Sequence, residues 1–222
     1  MPARSLVLFD IDGTLLRGAG RHHKDALLEG IRRVTGHSAT FDGIDTSGQL
    51  DRDLITLLLR EHRIETLLEQ IAAECQRAYL ANCLADLSPF ICKGAREVLA
   101  ELTTRGAVLG LVTGNLSEIG WRKMELAGLR SFFLLGAFSE DGITRAELAR
   151  VAAARAREKK LVADDCRVAL IGDHQNDILA AKANGFLAVA IASGLTPIEQ
   201  LRECEPDILL ESLSELDTGR LL

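Results

Sequence analysis

Apolar and polar positions fall into two rhythms along this chain. Short apolar runs at 6–9, 108–112, 168–171, 188–192 and 208–210 have the length and the flanking residues of buried strands. Three of them stop at polar clusters: the first at Asp10-Ile11-Asp12-Gly13, the second at Thr113-Gly114-Asn115, the third at Gly172-Asp173. Between the runs, apolar residues recur at helical spacing over 94–104, 118–127, 146–159 and 177–183. Strands alternating with helices predict a parallel sheet. Ligands of such sheets bind beyond the carboxyl ends of the strands. The polar clusters, far apart in the chain, are therefore expected to meet at one rim.

From 16 to 88 the strand rhythm disappears. Residues 24–35, 51–63 and 65–85 each carry apolar side chains at helical spacing. Gly18-Ala19-Gly20 supplies a flexible entry to this stretch and Leu87-Ser88-Pro89 a stiff exit. The expected architecture is α/β: a Rossmann-like parallel sheet flanked by helices, formed by 1–17 and 88–222, with an all-helical cap inserted at 18–87. A chain of 222 residues that is 47% apolar can bury the core such a domain needs.

Charge narrows the choice of partner. The net charge is −6, from 26 Lys and Arg against 32 Asp and Glu. The basic residues are scattered, with no contiguous stripe to track a nucleic-acid backbone, so small solutes are the expected partners. No run approaches the roughly 20 apolar residues of a membrane span, and 6–9 is too short for a signal-peptide core. Cys75, Cys83, Cys92, Cys166 and Cys204 form an odd set without a C-x-x-C pair, which argues against a disulfide framework and a zinc site. A cytoplasmic protein, monomeric or homodimeric, is expected, its cysteines acting as small buried apolar residues.

Asp10 and Asp12 stand at i and i+2 where the first strand gives way to Gly13. Like charges packed this closely call for a shared cation or proton. With Asp173 and Asp177 they supply enough hard oxygen ligands for Mg²⁺, which binds through one or two carboxylates, waters and a substrate phosphate.

Asp10-Ile11-Asp12-Gly13-Thr14-Leu15 resembles the D-x-D-G-T signature of the haloacid dehalogenase superfamily. Val112-Thr113-Gly114-Asn115 is similar to that family's second motif, and Gly172-Asp173-His174-Gln175-Asn176-Asp177 to its fourth, G-D-x-x-x-D. The resemblance implies Asp10 as nucleophile, Asp12 as acid and base, Thr113, Gly114 and Asn115 as phosphate-binding, and Asp10, Asp12, Asp173 and Asp177 as the Mg²⁺ site. Competing readings are a solvated turn for Asp10 and Asp12, and a helix N-cap for Thr113 and for Asp177.

The third motif departs from the family, which usually has a Lys about 25 residues before the fourth. Arg145 occupies a comparable place, 28 positions before Asp173, and is the expected phosphate-binding cation, although its planar fork is not equivalent to a point charge. Lys123 and Lys159-Lys160 read instead as solvated helix faces. Asp12 points to an oxygen leaving group, hence to a phosphatase of small organic phosphate monoesters. The helical insertion resembles that of the phosphoglycolate phosphatase-like branch, with Thr46 to Arg52 a degenerate form of its G-x-T-D segment. His22, His23 and Arg52 read as cap surface. The alternatives are a sugar phosphomutase of the same superfamily and a non-catalytic phospho-binding or signalling protein.

Overall fold

A computed structural model describes residues 2–60 and 67–222. Six strands form one sheet of order β3-β2-β1-β4-β5-β6, and every pairing is parallel. The strands are β1 (Ala3–Phe9), β2 (Val108–Val112), β3 (Leu135–Ala137), β4 (Val162–Gly172), β5 (Leu187–Ile191) and β6 (Ile208–Leu210). β1 lies between β2 and β4, so the three strands that end in polar clusters are neighbours.

Alternation along β1 splits its side chains between two layers. Val7 and Phe9 face the layer of α4 (Ala95–Thr104) and α5 (Ser117–Leu126), packing with Val98, Leu99, Leu102 and Met124. Leu6 and Leu8 face α6 (Arg145–Glu158) and α7 (Gln175–Ala183), packing with Leu148, Ala152, Ala156 and Ile178. With both faces covered, the strand reads as an unbroken apolar run.

Between β1 and β2 the chain forms α1 (Arg21–Thr35), α2 (Asp51–Leu59) and α3 (Leu68–Asn82). Leu27 and Ile31 of α1, Ile55 and Leu59 of α2 and Ile71, Cys75 and Tyr79 of α3 build a third core, which also takes in Leu116 and Ile119 at the start of α5. The helices expected at 51–63 and 65–85 correspond to α2 and α3; of the expected spans, 61–63 and 65–66 lie outside the described residues.

Two elements depart from the sequence expectation. β3 is three residues long and lies between two short 3-10 turns, and α8 (Ile198–Glu203) is a six-residue helix after Pro197. α8 is too short to show a helical period, and β3 carries a glycine. β4 runs further than 168–171 because its first half, with exposed Asp164 and Asp165, is a strand without an apolar run. Among the described residues no helix is long and apolar enough to cross a membrane.

Candidate active site

The rim beyond β1, β2 and β4 collects Asp10, Asp12, Thr113, Asn115, Arg145, Asp173 and Asp177. Asp10 follows the last residue of β1, its backbone N–H donating to the Ile171 carbonyl at 3.0 Å. The chain then turns at Gly13, whose φ of +98° favours glycine. A methyl group there would overlap the Asp173 carboxylate, as would one at Gly194. Thr14 donates to Asp173 Oδ1 at 3.1 Å. Asp173 is thus seated in a notch that only glycine walls leave open.

Asp10, Asp173 and Asp177 are buried, and one oxygen of each lies within 4.8 Å of the others. Arg145, at the first position of α6 behind the N-cap Thr144, reaches into this cluster and is 7% exposed. Its Nη1 donates to Asp10 Oδ1 at 3.2 Å and to the Val112 carbonyl at 3.4 Å, and its Nε lies 3.3 Å from Asp177 Oδ1. Among the described residues, neither Arg145 Nε nor Asp177 Oδ1 has a hydrogen-bond partner.

Ionised together, three buried carboxylates against one guanidinium would leave a surplus of two negative charges. Burial accordingly pushes Asp10 well above the ordinary carboxylate range; Arg145 pulls it down, while Asp177, Asp173 and Asp12 add to the rise. Burial and Asp177 raise Asp173 to about 7, against the Thr14 hydrogen bond and Arg145. Asp177 is also raised, by burial, with Arg145 and His174 opposing. An all-oxygen cluster with more carboxylates than cations, one of whose buried oxygens accepts no hydrogen bond among the described residues, fits a hard divalent cation. Asp177 also accepts from the His174 backbone N–H at 3.2 Å. It is therefore the third residue of α7 in a capping box rather than its N-cap.

Asp12 lies outside that triad of acids and has its own cation. Lys123 Nζ donates to Asp12 Oδ2 at 2.6 Å, and Asn115 Nδ2 donates to the same oxygen at 2.8 Å. Burial alone would raise Asp12; the Lys123 charge and the hydrogen bonds from Lys123 and Asn115 bring it below its ordinary value. The expectation that Lys123 is a solvated helix face is overturned: it is 0% exposed. Its position on α5 turns it inward between α5 and α1, where it also donates to Asn115 Oδ1 at 2.7 Å and lies 3.1 Å from His23 Nδ1.

His23, expected on the surface, is likewise buried, with Nε2 2.8 Å from Asp51 Oδ2. Arg52 turns to Glu69 of the insertion and His22 is half-buried. Lys159 and Lys160 are exposed.

Thr113 is fully buried and its hydroxyl accepts from Asn115 Nδ2 at 3.0 Å. The backbone amides that open α5 are engaged by other side chains. Leu116 N–H donates to Asp51 at 2.7 Å, Ser117 N–H to Glu140 at 2.9 Å and Glu118 N–H to Gln76 at 2.8 Å. The segment 46–51 rests on the rim, Asp51 N–H donating to the Gly114 carbonyl at 2.8 Å and Asn176 donating to the Gly48 carbonyl at 3.0 Å. Between insertion and rim lies a cavity of about 550 Å³, lined by Asp10, Asp12, Arg17, Arg145 and Asp173 of the core and by Arg21, His23 and Lys24 of the insertion.

A sheet of this order, with acids at the ends of β1 and β4 and a helical insertion after β1, defines a class, and comparison with known proteins agrees. The family model for haloacid dehalogenase-like hydrolases matches residues 5–185, and the chain belongs to that family. It is 26% identical over 217 residues to a phosphoglycolate phosphatase of Synechococcus elongatus, covering 95% of this chain and 94% of the relative. It is 25% identical to pyrophosphatase PpaX of Bacillus pumilus, covering 95% and 93%. Among solved structures, β-phosphoglucomutase of Clostridium difficile superposes with a TM-score of 0.70 at 17% identity, covering 98% of this chain and 95% of that one; at that identity the likeness is one of fold.

Proposed function

We propose that the chain is a Mg²⁺-dependent phosphatase that hydrolyses small organic phosphate monoesters through an aspartyl-phosphate on Asp10. The observation that carries this reading is the division of charge at the rim. Three clustered carboxylates around Asp10 against one Arg suit a divalent metal, while Asp12 stands apart, paired with Lys123 and open to the cavity. The phosphatase names of full-length relatives support it. In this proposal 1–17 and 88–222 are the catalytic core and 18–87 a cap.

Asp10, Asp173 and Asp177 would hold Mg²⁺, with Asp12 beside them. When bound, the ion offsets the repulsion between carboxylate and phosphate and stabilises charge on the phosphoryl oxygens. An Asp10 oxygen forms the bond to phosphorus as the ester oxygen departs, and that oxygen takes its proton from Asp12. Asp12 then receives a proton from the water that attacks the aspartyl-phosphate; the bond from phosphorus to Asp10 breaks and inorganic phosphate leaves. Arg145 keeps Asp10 aligned and carries positive charge beside the phosphoryl group, and Thr113, Gly114 and Asn115 border the phosphate on the β2 side.

The cavity volume and its basic lining, Arg17, Arg21 and Lys24, suit a small substrate with a further anionic group, phosphoglycolate among them. A cytoplasmic setting, where five free cysteines remain thiols, belongs to the same proposal. The test is phosphate release from a panel of small phosphorylated metabolites with Mg²⁺, without a bisphosphate activator, and again with a chelator. Mg²⁺-dependent release is expected. Full activity in the chelated sample, or activity only with the activator, contradicts the reading.

A further inference from the structure

The reaction proposed above uses Asp12 but leaves unexplained the buried ammonium behind it. We propose that Lys123 is the positioning residue that fixes the Asp12 carboxylate for proton transfer, and that the helical insertion acts on the reaction through it. The inference rests on the phosphatase reading.

An ammonium group offers three donors, and the surroundings of Lys123 Nζ take all three: Asp12 Oδ2 at 2.6 Å, Asn115 Oδ1 at 2.7 Å and His23 Nδ1 at 3.1 Å. With no donor left and no exposure, Lys123 does not touch substrate. It acts through its neighbours. Asn115 completes a closed triangle, accepting from Lys123 and donating to Asp12 Oδ2 at 2.8 Å. Two N–H donors therefore pin one carboxylate oxygen, and Oδ1 is the oxygen left to face the cavity and carry the proton. A carboxylate free to rotate would present either oxygen at many angles; one held at Oδ2 presents a single geometry, which is what general acid catalysis rewards.

The far side of the ammonium belongs to the insertion. A ring nitrogen that accepts from Lys123 at Nδ1 leaves Nε2–H to donate to Asp51, and the Nε2 to Oδ2 distance is 2.8 Å. Asp51 Oδ2 in turn accepts from the Leu116 N–H at 2.7 Å, at the start of the helix that carries Lys123. The chain Asp51–His23–Lys123–Asp12 thus runs from α2 through α1 to α5 and the rim. It closes only when the insertion sits on the core as it does here, so seating the insertion and orienting Asp12 are one event. The labour is divided: Arg145 serves Asp10 and Asp177, and Lys123 serves Asp12.

The experiment compares kcat/KM for an alkyl phosphate and for p-nitrophenyl phosphate, in wild type, Lys123→Met, Lys123→Arg and His23→Ala, with thermal unfolding of each. A misplaced acid hurts a poor leaving group and spares a good one. The expected result for Lys123→Met is a loss of about 10²- to 10³-fold on the alkyl ester against less than about 10-fold on the aryl ester. Lys123→Arg restores part of the alkyl rate, and His23→Ala shows the same leaving-group bias at smaller size. Equal losses on both esters in a folded variant, or no loss, overturn the inference. If Lys123→Met does not fold, His23→Ala decides by the same comparison. Wild type without activity on either ester contradicts the phosphatase reading instead, so the two failures are distinct.

Discussion

Arg145 contacts two acids at once, with Nη1 at Asp10 Oδ1 and Nε facing Asp177 Oδ1. Removing it leaves a buried carboxylate without its counter-charge, so Arg145→Ala is expected to lower kcat/KM by about 10²- to 10⁴-fold. Arg145→Lys recovers only part, because a single ammonium does not span both carboxylates; steady-state kinetics of both variants check this, and near-normal rates would remove Arg145 from the site. The acids also predict a pH dependence for the metal-free protein. Asp173 is held at about 7 in the folded state, against an ordinary value of 3.8. A raised folded value favours folding below about pH 4, and that advantage is lost as pH rises through 7. With chelator, the melting temperature should fall across this window, and added Mg²⁺ should raise it more at pH 7.5 than at pH 5, as the metal displaces protons. Equal Mg²⁺ shifts at both values would contradict it. Arg145 was legible from its distance to Asp173 along the chain. Lys123 and His23 were not: a lone basic residue on a helix reads as solvated, and only the packing of α1 on α5 turns these two towards each other.

The close approach of α1 and α3 has its own signature in Gly30, in the middle of α1. A Cβ there would overlap Cys75 Sγ and lie 2.6 Å from the Cys75 backbone nitrogen and 2.8 Å from its Cα. Helix propensity alone favours Ala over Gly by about 1 kcal/mol, but backbone atoms of α3 do not yield as side-chain tips do. Gly30→Ala is therefore expected to be net destabilising by about 1–3 kcal/mol, read by chemical denaturation; a stabilised variant would show that the two helices are not in contact here. This kind of detail escapes a pattern of apolar spacing, which located α1 and α3 but not the residue at which they meet. β3 and α8 escaped for a different reason. Six residues are too few for a helical period in α8, while β3, Leu135-Gly136-Ala137, carries a glycine and takes its place from pairing with β2. The segment 46–52 is an intermediate case, since its motif was visible in the sequence while its contacts with Gly114 and Asn176 belong to the fold.

For the whole molecule, the sheet order gathers at one rim residues that lie from Asp10 to Asp177 in the chain, and the helical insertion closes over them through the Gly114, Leu116 and Lys123 contacts. The rim was legible because three apolar runs end in motifs whose residue types are those phosphoryl transfer needs. The closed seating of the insertion was not, because it depends on side chains of two layers meeting. The proposed function turns on one covalent event, the formation of an aspartyl-phosphate at Asp10. Rapid quenching during turnover of a small phosphate ester with Mg²⁺, followed by borohydride reduction and peptide mass mapping, reads that event directly. An aspartyl-phosphate reduces to homoserine, so the predicted result is homoserine at position 10 and nowhere else, absent when substrate is omitted. Turnover without modification at Asp10, or with modification of another residue in its place, would contradict the account.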